Sequence, residues 1–117
     1  MSMTPEIWIA CDKRGTIRRW LQAVVWTTCE PGNKLCDSLI TDGYPGDPVE
    51  YVEAVLACFE HAGLITRGAP DPMLQRSGLA WSAAFTSVRF EEKRRCFAWL
   101  STPALVEFVK THPAPRA

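Results

Sequence analysis

The chain has 117 residues, of which 47% are hydrophobic and 22% are charged, and its 13 basic and 13 acidic residues give a net charge of zero. These values predict one domain of ordinary globular composition. They exclude a strongly basic domain, which is the simplest kind of nucleic-acid binder. No apolar run is long enough to span a membrane, and the N-terminus lacks the pattern of a signal peptide, so we expect a cytoplasmic protein that does not enter a membrane.

The cysteine pattern bears on disulfides and on metal binding. The cysteines are Cys11, Cys29, Cys36, Cys58 and Cys96. Their odd number and the lack of a C-x-x-C pair argue against a disulfide framework, and we expect them to pack as small buried side chains. Cys29, Cys36, Cys58 and His61 have the right chemistry for zinc. However, six residues separate Cys29 from Cys36, which is too many for a zinc knuckle. No metal site is predicted.

The sequence shows few signs of an active site. Nucleophilic catalysis needs a base within reach of the nucleophile, and one of the two histidines, His112, falls in a proline-rich tail. Cys58 and His61 are spaced as a pair at i, i+3, but His61 also suits a helix C-terminus, where the partial negative charge favours its cation. No glycine-rich phosphate loop is present. We therefore predict a protein without catalytic residues and without a cofactor.

The first helix is predicted over residues 16–29. Its apolar residues recur at helical spacing, and Pro31 with Gly32 ends the pattern. The stripe consists of Ile17, Trp20, Leu21, Val24, Val25 and Thr28. A short helix follows, with a turn signal at Asp42 and Gly43. The apolar residues of this short helix are Leu35, Leu39 and Ile40.

The third predicted helix begins after Asp47 and ends before Gly63. Asp47 can accept hydrogen bonds from the free amides of the first turn, and Pro48 suits the first helical position because its missing N–H costs nothing there. Gly63 favours the left-handed conformation that closes a helix. Leu64 and Ile65 then begin a strand. The apolar face of this helix consists of Val52, Val55, Leu56 and Phe59.

Residues 79–101 fit two structures. The segments FTSVRF and RCFAWL are rich in β-favouring residues and flank the charged segment EEKR, which favours a β-hairpin. Five residues from Trp81 to Cys96 also lie at helical spacing. We favour the hairpin. A last helix is predicted to begin at Thr102 and Pro103, and its apolar side consists of Leu105, Val106, Phe108 and Val109.

Several of these segments resemble parts of a known domain. YVEAVLACFEHAGLITR, the charged hairpin and FAWLSTPALVEFVK together resemble the second half of a winged-helix domain, and AVVWTTC with LITDGYP is similar to winged-helix domains of the phage replisome-organiser type. The resemblance covers residues 16–110 and implies a small α+β, winged-helix-like domain that is mostly helical and has one β-hairpin. A single domain would then cover residues 1–117, with 1–11 and 112–117 as loosely packed tails.

The charges are segregated along the chain although they cancel overall. Residues 30–60 contain seven acidic residues and one basic residue, Lys34, so this segment carries −6 and the remainder carries +6. The helix over 48–62 has three glutamates and neither Lys nor Arg. Phosphates attract cations and repel carboxylates, so this helix is a poor reader of the DNA major groove.

The winged-helix resemblance implies a regulatory or accessory protein that associates with nucleic acid. Binding would then use a basic hairpin and the arginines of the first helix to contact phosphates, with little readout of bases. The residues assigned to this nucleic-acid-binding site are Arg18, Arg19, Arg89, Lys93, Arg94 and Arg95.

A protein–protein interaction module is the alternative. The acidic helix 48–62 would meet a basic patch on a partner, and exposed aromatic side chains would anchor the contact. Small inhibitors or adaptors from phage or mobile elements are similar in size. A homodimer is compatible with either hypothesis. The residues assigned to the protein-binding site are Tyr44, Glu50, Tyr51 and Glu53, with Trp8 and Trp81 as further aromatic anchors.

Overall fold

The computed structural model describes residues 3–27, 29–70 and 94–114. Within these residues the chain combines α-helices with a small antiparallel sheet, which is the α+β class that the sequence predicts. The elements in chain order are α1 (Pro5–Ala10), α2 (Thr16–Thr27), β1 (Cys29–Pro31), α3 (Asn33–Thr41), α4 (Pro48–His61), β2 (Ile65–Pro70), a 3-10 turn (Arg94–Cys96), β3 (Phe97–Ser101) and α5 (Pro103–Thr111).

Helix α4 begins and ends at the predicted signals. The Asp47 carboxylate accepts hydrogen bonds from the backbone N–H groups of Val49 at 3.0 Å and Glu50 at 3.4 Å. At the other end Gly63 has a φ of 77°, and the Leu64 N–H donates to the Phe59 carbonyl at 3.0 Å. Such a left-handed glycine turns the chain out of the helix, so β2 can begin two residues later.

Helix α5 begins at the predicted cap, which also ties it to the sheet. The Thr102 hydroxyl accepts from the Leu105 N–H at 3.1 Å and donates to the Leu64 carbonyl at 2.7 Å. One side chain therefore caps α5 and joins its start to the residue that precedes β2.

The predicted apolar faces meet in one core. Ile17, Trp20, Leu21 and Val24 of α2 are buried, and so are all four residues predicted for the apolar face of α4. Trp99 of β3 is completely buried in this core, and its indole N–H donates to the Arg94 carbonyl at 2.9 Å. The polar end of this large side chain is therefore satisfied without contact with water.

The three strands form an antiparallel sheet in the order β1-β3-β2. On one side of β3, Cys29 lies opposite Leu100. On the other side Thr66 lies opposite the same residue. The predicted strand RCFAWL corresponds to the end of the 3-10 turn and to β3. The proposed partner strand FTSVRF and the alternative helix up to residue 93 lie outside the described part of the chain, and Cys96, the last residue of that helical pattern, belongs to the 3-10 turn.

Three expectations about the elements are wrong. Helix α2 ends at Thr27 instead of residue 29, because Cys29 begins β1 and pairs with a strand about 70 residues further along. Ile40 is 63% exposed because the buried stripe of α3 runs through Leu35, Cys36 and Leu39. Residues 5–10, assigned to a loose tail, form α1, and its Ile9 joins the core.

No helix within the described residues is both long enough and apolar enough to cross a membrane.

Gly32 lies at a close approach between the helices and the sheet. A Cβ at this position would lie 2.9 Å from the Arg95 Cα, 3.0 Å from the Trp99 Nε1 and 3.1 Å from a methyl carbon of Leu56. The backbone angles of Gly32 are helical, with φ −63° and ψ −32°, so any residue can adopt them. The glycine is required here for space and not for its conformational freedom.

Gly32→Ala is expected to lower the free energy of unfolding by about 2 kcal/mol, because the added methyl group must displace backbone atoms in a packed region. Gly63→Ala is the control, since nothing lies within 4 Å of the point that an alanine Cβ would occupy there and only the positive φ opposes alanine; its cost should be about 1 kcal/mol. Urea denaturation of both variants measures the difference. Equal costs would contradict the steric explanation.

Candidate partner-binding surface

The two arginines of α2 assigned to a nucleic-acid site are held within the molecule. The Arg18 Nε lies 3.1 Å from a carboxylate oxygen of Asp12, whose side chain also accepts from the backbone N–H groups at the start of α2. The Arg19 guanidinium lies 2.6 Å from the Asp42 carboxylate and donates to the Arg14 carbonyl at 2.7 Å. Both positive charges are therefore compensated by nearby carboxylates.

Arg94 and Arg95 are paired with the acidic helix itself. The Glu53 carboxylate accepts from the backbone N–H groups of Arg94 at 2.8 Å and Arg95 at 2.9 Å, and it lies 3.2 Å from the Arg95 guanidinium. Glu60 lies 3.0 Å from the Arg94 Nε and 2.7 Å from the Arg67 Nε. The acidic and basic segments that are separate in the sequence are joined here in space.

The Glu60 pairs are part of a larger stack. The Arg67 guanidinium carbon lies 5.0 Å from the Phe97 ring centroid and 5.9 Å from that of Trp99, within the range of cation–π attraction. Burial opposes ionisation of Glu60, but the hydrogen bonds from Arg67 and Arg94 outweigh it and hold the pKa of Glu60 below its usual range. The carboxylate therefore stays charged while it links α4 to β2 and the 3-10 turn.

Of the six residues assigned to a nucleic-acid site, the four that the structure describes all form intramolecular ion pairs. Arg89 and Lys93 lie outside the described residues. Lys13 and Arg14 are exposed and have no ion pair among the residues that the structure describes.

A second group of predicted residues is assembled at the start of α4. Trp8 from α1, Tyr44 from the α3–α4 loop and Tyr51 from α4 form an aromatic cluster. The ring centroids of Trp8 and Tyr51 are 5.1 Å apart with the planes at 80°, and those of Tyr44 and Tyr51 are 4.8 Å apart at 52°. Tyr44 packs closely on Gly46, where a Cβ would lie 2.9 Å from the tyrosine hydroxyl. The α3–α4 loop therefore packs directly against the Tyr44 ring, and a side chain at position 46 would collide with it.

The cluster borders a cavity of about 330 Å³ that we call the acidic aromatic pocket. It is lined by Trp8, Tyr44, Asp47, Glu50, Tyr51 and Ala54. A neighbouring cavity of about 230 Å³ is also lined by Tyr44 and Tyr51. The charged residues that line the acidic aromatic pocket are both acidic, whereas those of the neighbouring cavity are of both signs and comprise Asp12, Lys13, Arg14 and Asp42.

The electrostatic environment of the pocket is negative. Glu50 is exposed and has no ion pair among the described residues, and the charge of Asp47 is held in place by the cap of α4. Burial, reinforced by the nearby Asp12 carboxylate, raises the pKa of Tyr51 to about 12. An additional negative charge is therefore disfavoured at this ring. The two carboxylates that line the pocket, Asp47 and Glu50, favour a positive charge there.

The structure brings together three of the four residues assigned to the protein-binding site. Tyr44, Glu50 and Tyr51 line the acidic aromatic pocket, whereas Glu53 lies apart and binds Arg94 and Arg95. Trp8 also lines the pocket, but it is half-buried against the core and not exposed as predicted for an anchor. Trp81 lies outside the described residues. Asp47 also lines the pocket, although the sequence predicts it only as the cap of α4. Its capping role gives no sign of a second role in a binding site.

The cysteines are less uniform than expected. Cys36 and Cys96 are buried, but Cys11 and Cys29 are exposed and Cys58 is half-buried. Burial raises the pKa of the Cys36 thiol to about 11, so it stays protonated at neutral pH. In the described part of the chain no three His, Cys, Asp or Glu side chains are grouped so that they could hold a metal ion.

Glu60→Gln is expected to lower the free energy of unfolding by about 1–2 kcal/mol at pH 7, because it weakens charge-assisted hydrogen bonds to two arginines. A carboxylate whose pKa is lower in the folded than in the unfolded state stabilises the fold at a pH above its unfolded-state pKa. This stabilisation is lost as the pH falls through its folded-state pKa. The difference between wild type and variant should therefore shrink below about pH 4.5.

Urea denaturation from pH 7 to pH 3 measures this difference. Glu107→Gln is the matched control, since Glu107 and its partner Lys110 are 74% and 67% exposed and their pair should contribute little. A Glu60→Gln effect that is as small as the control, or independent of pH, would contradict the role assigned to Glu60.

Comparison of the chain with protein-family models, curated proteins and solved structures finds no match. The function is therefore inferred from the geometry of the chain's own residues.

Proposed function

We propose that this protein is a non-catalytic interaction module that binds a basic segment of another protein through the acidic aromatic pocket. One observation carries the proposal: Glu50 stands without an ion pair in the described residues beside three clustered aromatic rings. By contrast, the four described arginines that the nucleic-acid hypothesis assigns to phosphate contacts form ion pairs within the protein.

The chemistry of the pocket supports this role. Aromatic side chains supply large contact areas at low entropic cost and dominate the binding energy of many interfaces. Carboxylates at the edge of such a patch attract a basic partner and discriminate against an acidic one. Tyr44 is 36% exposed and so can be covered by a partner, whereas the half-buried Tyr51 fixes the cluster to α4. An inhibitor or adaptor of phage or mobile-element type would fit this description.

Selection from a random peptide library tests the proposal, because it requires no assumption about which protein is the partner. The library is displayed on phage and selected against the immobilised protein, with Glu50→Lys and Glu107→Lys as parallel targets. Peptides enriched on the wild type should be basic, and their affinity for Glu50→Lys should fall about tenfold or more, because a like charge now faces them. Glu107→Lys carries the same charge change on exposed α5 and should bind them as the wild type does.

Enrichment of neutral or acidic peptides would contradict the proposal. So would equal binding of the enriched peptides to all three targets, because the charge at position 50 would then have no part in recognition.

Nucleic-acid association is the second candidate. It is supported by the two joins on which the winged-helix resemblance depends: α4 leads through Gly63 into β2, and β3 ends at Ser101 immediately before α5. Lys13 and Arg14 are the exposed cations that such binding would use, since they have no ion pair in the described part of the chain.

Lys13→Glu combined with Arg14→Glu is the informative variant for this candidate, because reversal of Arg94 and Arg95 would break their pairs with α4 and disturb the fold. If nucleic acid binds, the affinity for random-sequence duplex DNA, single-stranded DNA or RNA should fall steeply with added salt and drop in this variant. Fluorescence anisotropy from 50 to 200 mM salt measures both effects. No binding at 50 mM salt would exclude this candidate.

A further inference from the structure

We propose that the acidic aromatic pocket binds one lysine side chain of the partner by its ammonium group. This inference rests on the proposed function and specifies the group that is recognised. The ammonium group would lie against the rings of Trp8, Tyr44 and Tyr51 and be neutralised by the carboxylates of Asp47 and Glu50, all of which line the same cavity.

The combination of rings and carboxylates selects an organic cation. An apolar side chain would contact only the rings. It would also displace water from the two carboxylates without replacing the hydrogen bonds that the water makes to them, which is unfavourable. An anion would be repelled by Asp47 and Glu50. An alkylammonium group satisfies both parts of the lining, because its charge pairs with the carboxylates and is attracted to the faces of the aromatic rings.

The arrangement of the rings favours an ammonium over a guanidinium group. The planes of Trp8 and Tyr51 meet at 80° and those of Tyr44 and Tyr51 at 52°, so the three rings do not share one flat face. A planar guanidinium stacks best on a flat face and forks onto a carboxylate with two parallel hydrogen bonds. One oxygen of Asp47 already accepts from Val49 and Glu50 at the cap. A compact point charge can approach differently oriented rings and a carboxylate together, whereas a planar group stacks on only one ring.

The pocket is also organised before anything binds. Trp8 is positioned by α1, whose Ile9 is in the core, and Tyr51 lies on the central helix α4. Asp47 is held by its cap hydrogen bonds. Little freedom of these three side chains is lost when a ligand enters, and more of the interaction energy appears as affinity. In the neighbouring cavity Asp12 and Asp42 are paired with arginines of α2. Lys13 and Arg14 have no ion pair in the described residues and oppose a second cation there, so a single lysine is the preferred occupant.

Small probes test the inference on the full chain. The probes are the Nα-acetyl methylamides of lysine, Nε-acetyl-lysine and arginine, together with choline. Binding is followed in ¹H–¹⁵N NMR spectra through the indole N–H of Trp8, which is assigned with Trp8→Phe. The lysine probe should shift this signal saturably, and it should bind about tenfold more tightly than its neutral Nε-acetyl counterpart, since only the former makes cation–π contacts.

Variants assign the effect to the pocket. Glu50→Gln and Tyr44→Leu should each weaken the lysine probe about threefold to tenfold, whereas Tyr44→Phe keeps the ring and should bind normally. Tyr44 and Glu50 are exposed, so these changes leave the core intact. The inference is overturned if Nε-acetyl-lysine or arginine binds as tightly as lysine, if Glu50→Gln has no effect, or if choline binds as tightly, which would assign the pocket to a free small ammonium compound.

The two proposals fail separately. If selected peptides are basic and depend on Glu50 but lysine is not preferred over arginine, the interaction function stands and the lysine assignment is wrong. If no basic peptide is selected and the lysine probe still binds the pocket, the pocket recognises the ammonium group of lysine but the interaction function is wrong.

Discussion

Helix α4 is tied to the rest of the domain by its own negative charges. Glu53 receives two backbone N–H groups of the 3-10 turn, and Glu60 receives the guanidinium groups of Arg67 and Arg94. Half-buried carboxylates of this kind contribute more than exposed ion pairs, because they also satisfy backbone donors and are less screened by water. The same contacts bring the turn and β3 against α4, where Gly32 and Trp99 pack at close range. We call these contacts of Glu53 and Glu60 with Arg67, Arg94 and Arg95 the charge-paired seam. The seam joins α4 to β2 and to the turn that precedes β3.

This seam changes what the charges of the protein can do. A net charge of zero is compatible with two opposite poles, each ready for a partner, or with internal neutralisation. For the four arginines that the structure describes among the proposed phosphate contacts, the second case applies. The charges left for recognition are those without an ion pair in the described residues, and Glu50 is one of them. Its place beside three aromatic rings directs the functional inference toward a cationic partner.

Local signals determined much of what the sequence predicted correctly. The caps at Asp47 and Thr102, the glycine at position 63 and the apolar stripes of α2 and α4 each depend on residues within a few positions of one another. Backbone hydrogen bonding and helical periodicity are short-range, so a sequence can reveal them. Tyr44, Glu50 and Tyr51 were assigned to one site from the acidity of the helix and the anchoring role of aromatic side chains, and because they lie within eight residues of each other the local chain also brings them together.

Only the tertiary structure decided the features that depend on distant parts of the chain. Strand β1 has three residues and exists because β3 offers it a hydrogen-bonding edge. Glu53 is paired within the protein because it accepts hydrogen bonds from backbone N–H groups more than 40 residues away, and no local pattern in the sequence indicates this. The sequence by itself therefore determined helices α2 to α5, the caps of α4 and α5, and the composition of the charged segments. Which charges cancel and which remain for a partner was decided by the fold, because Coulomb attraction depends on distance in space and not on separation along the chain.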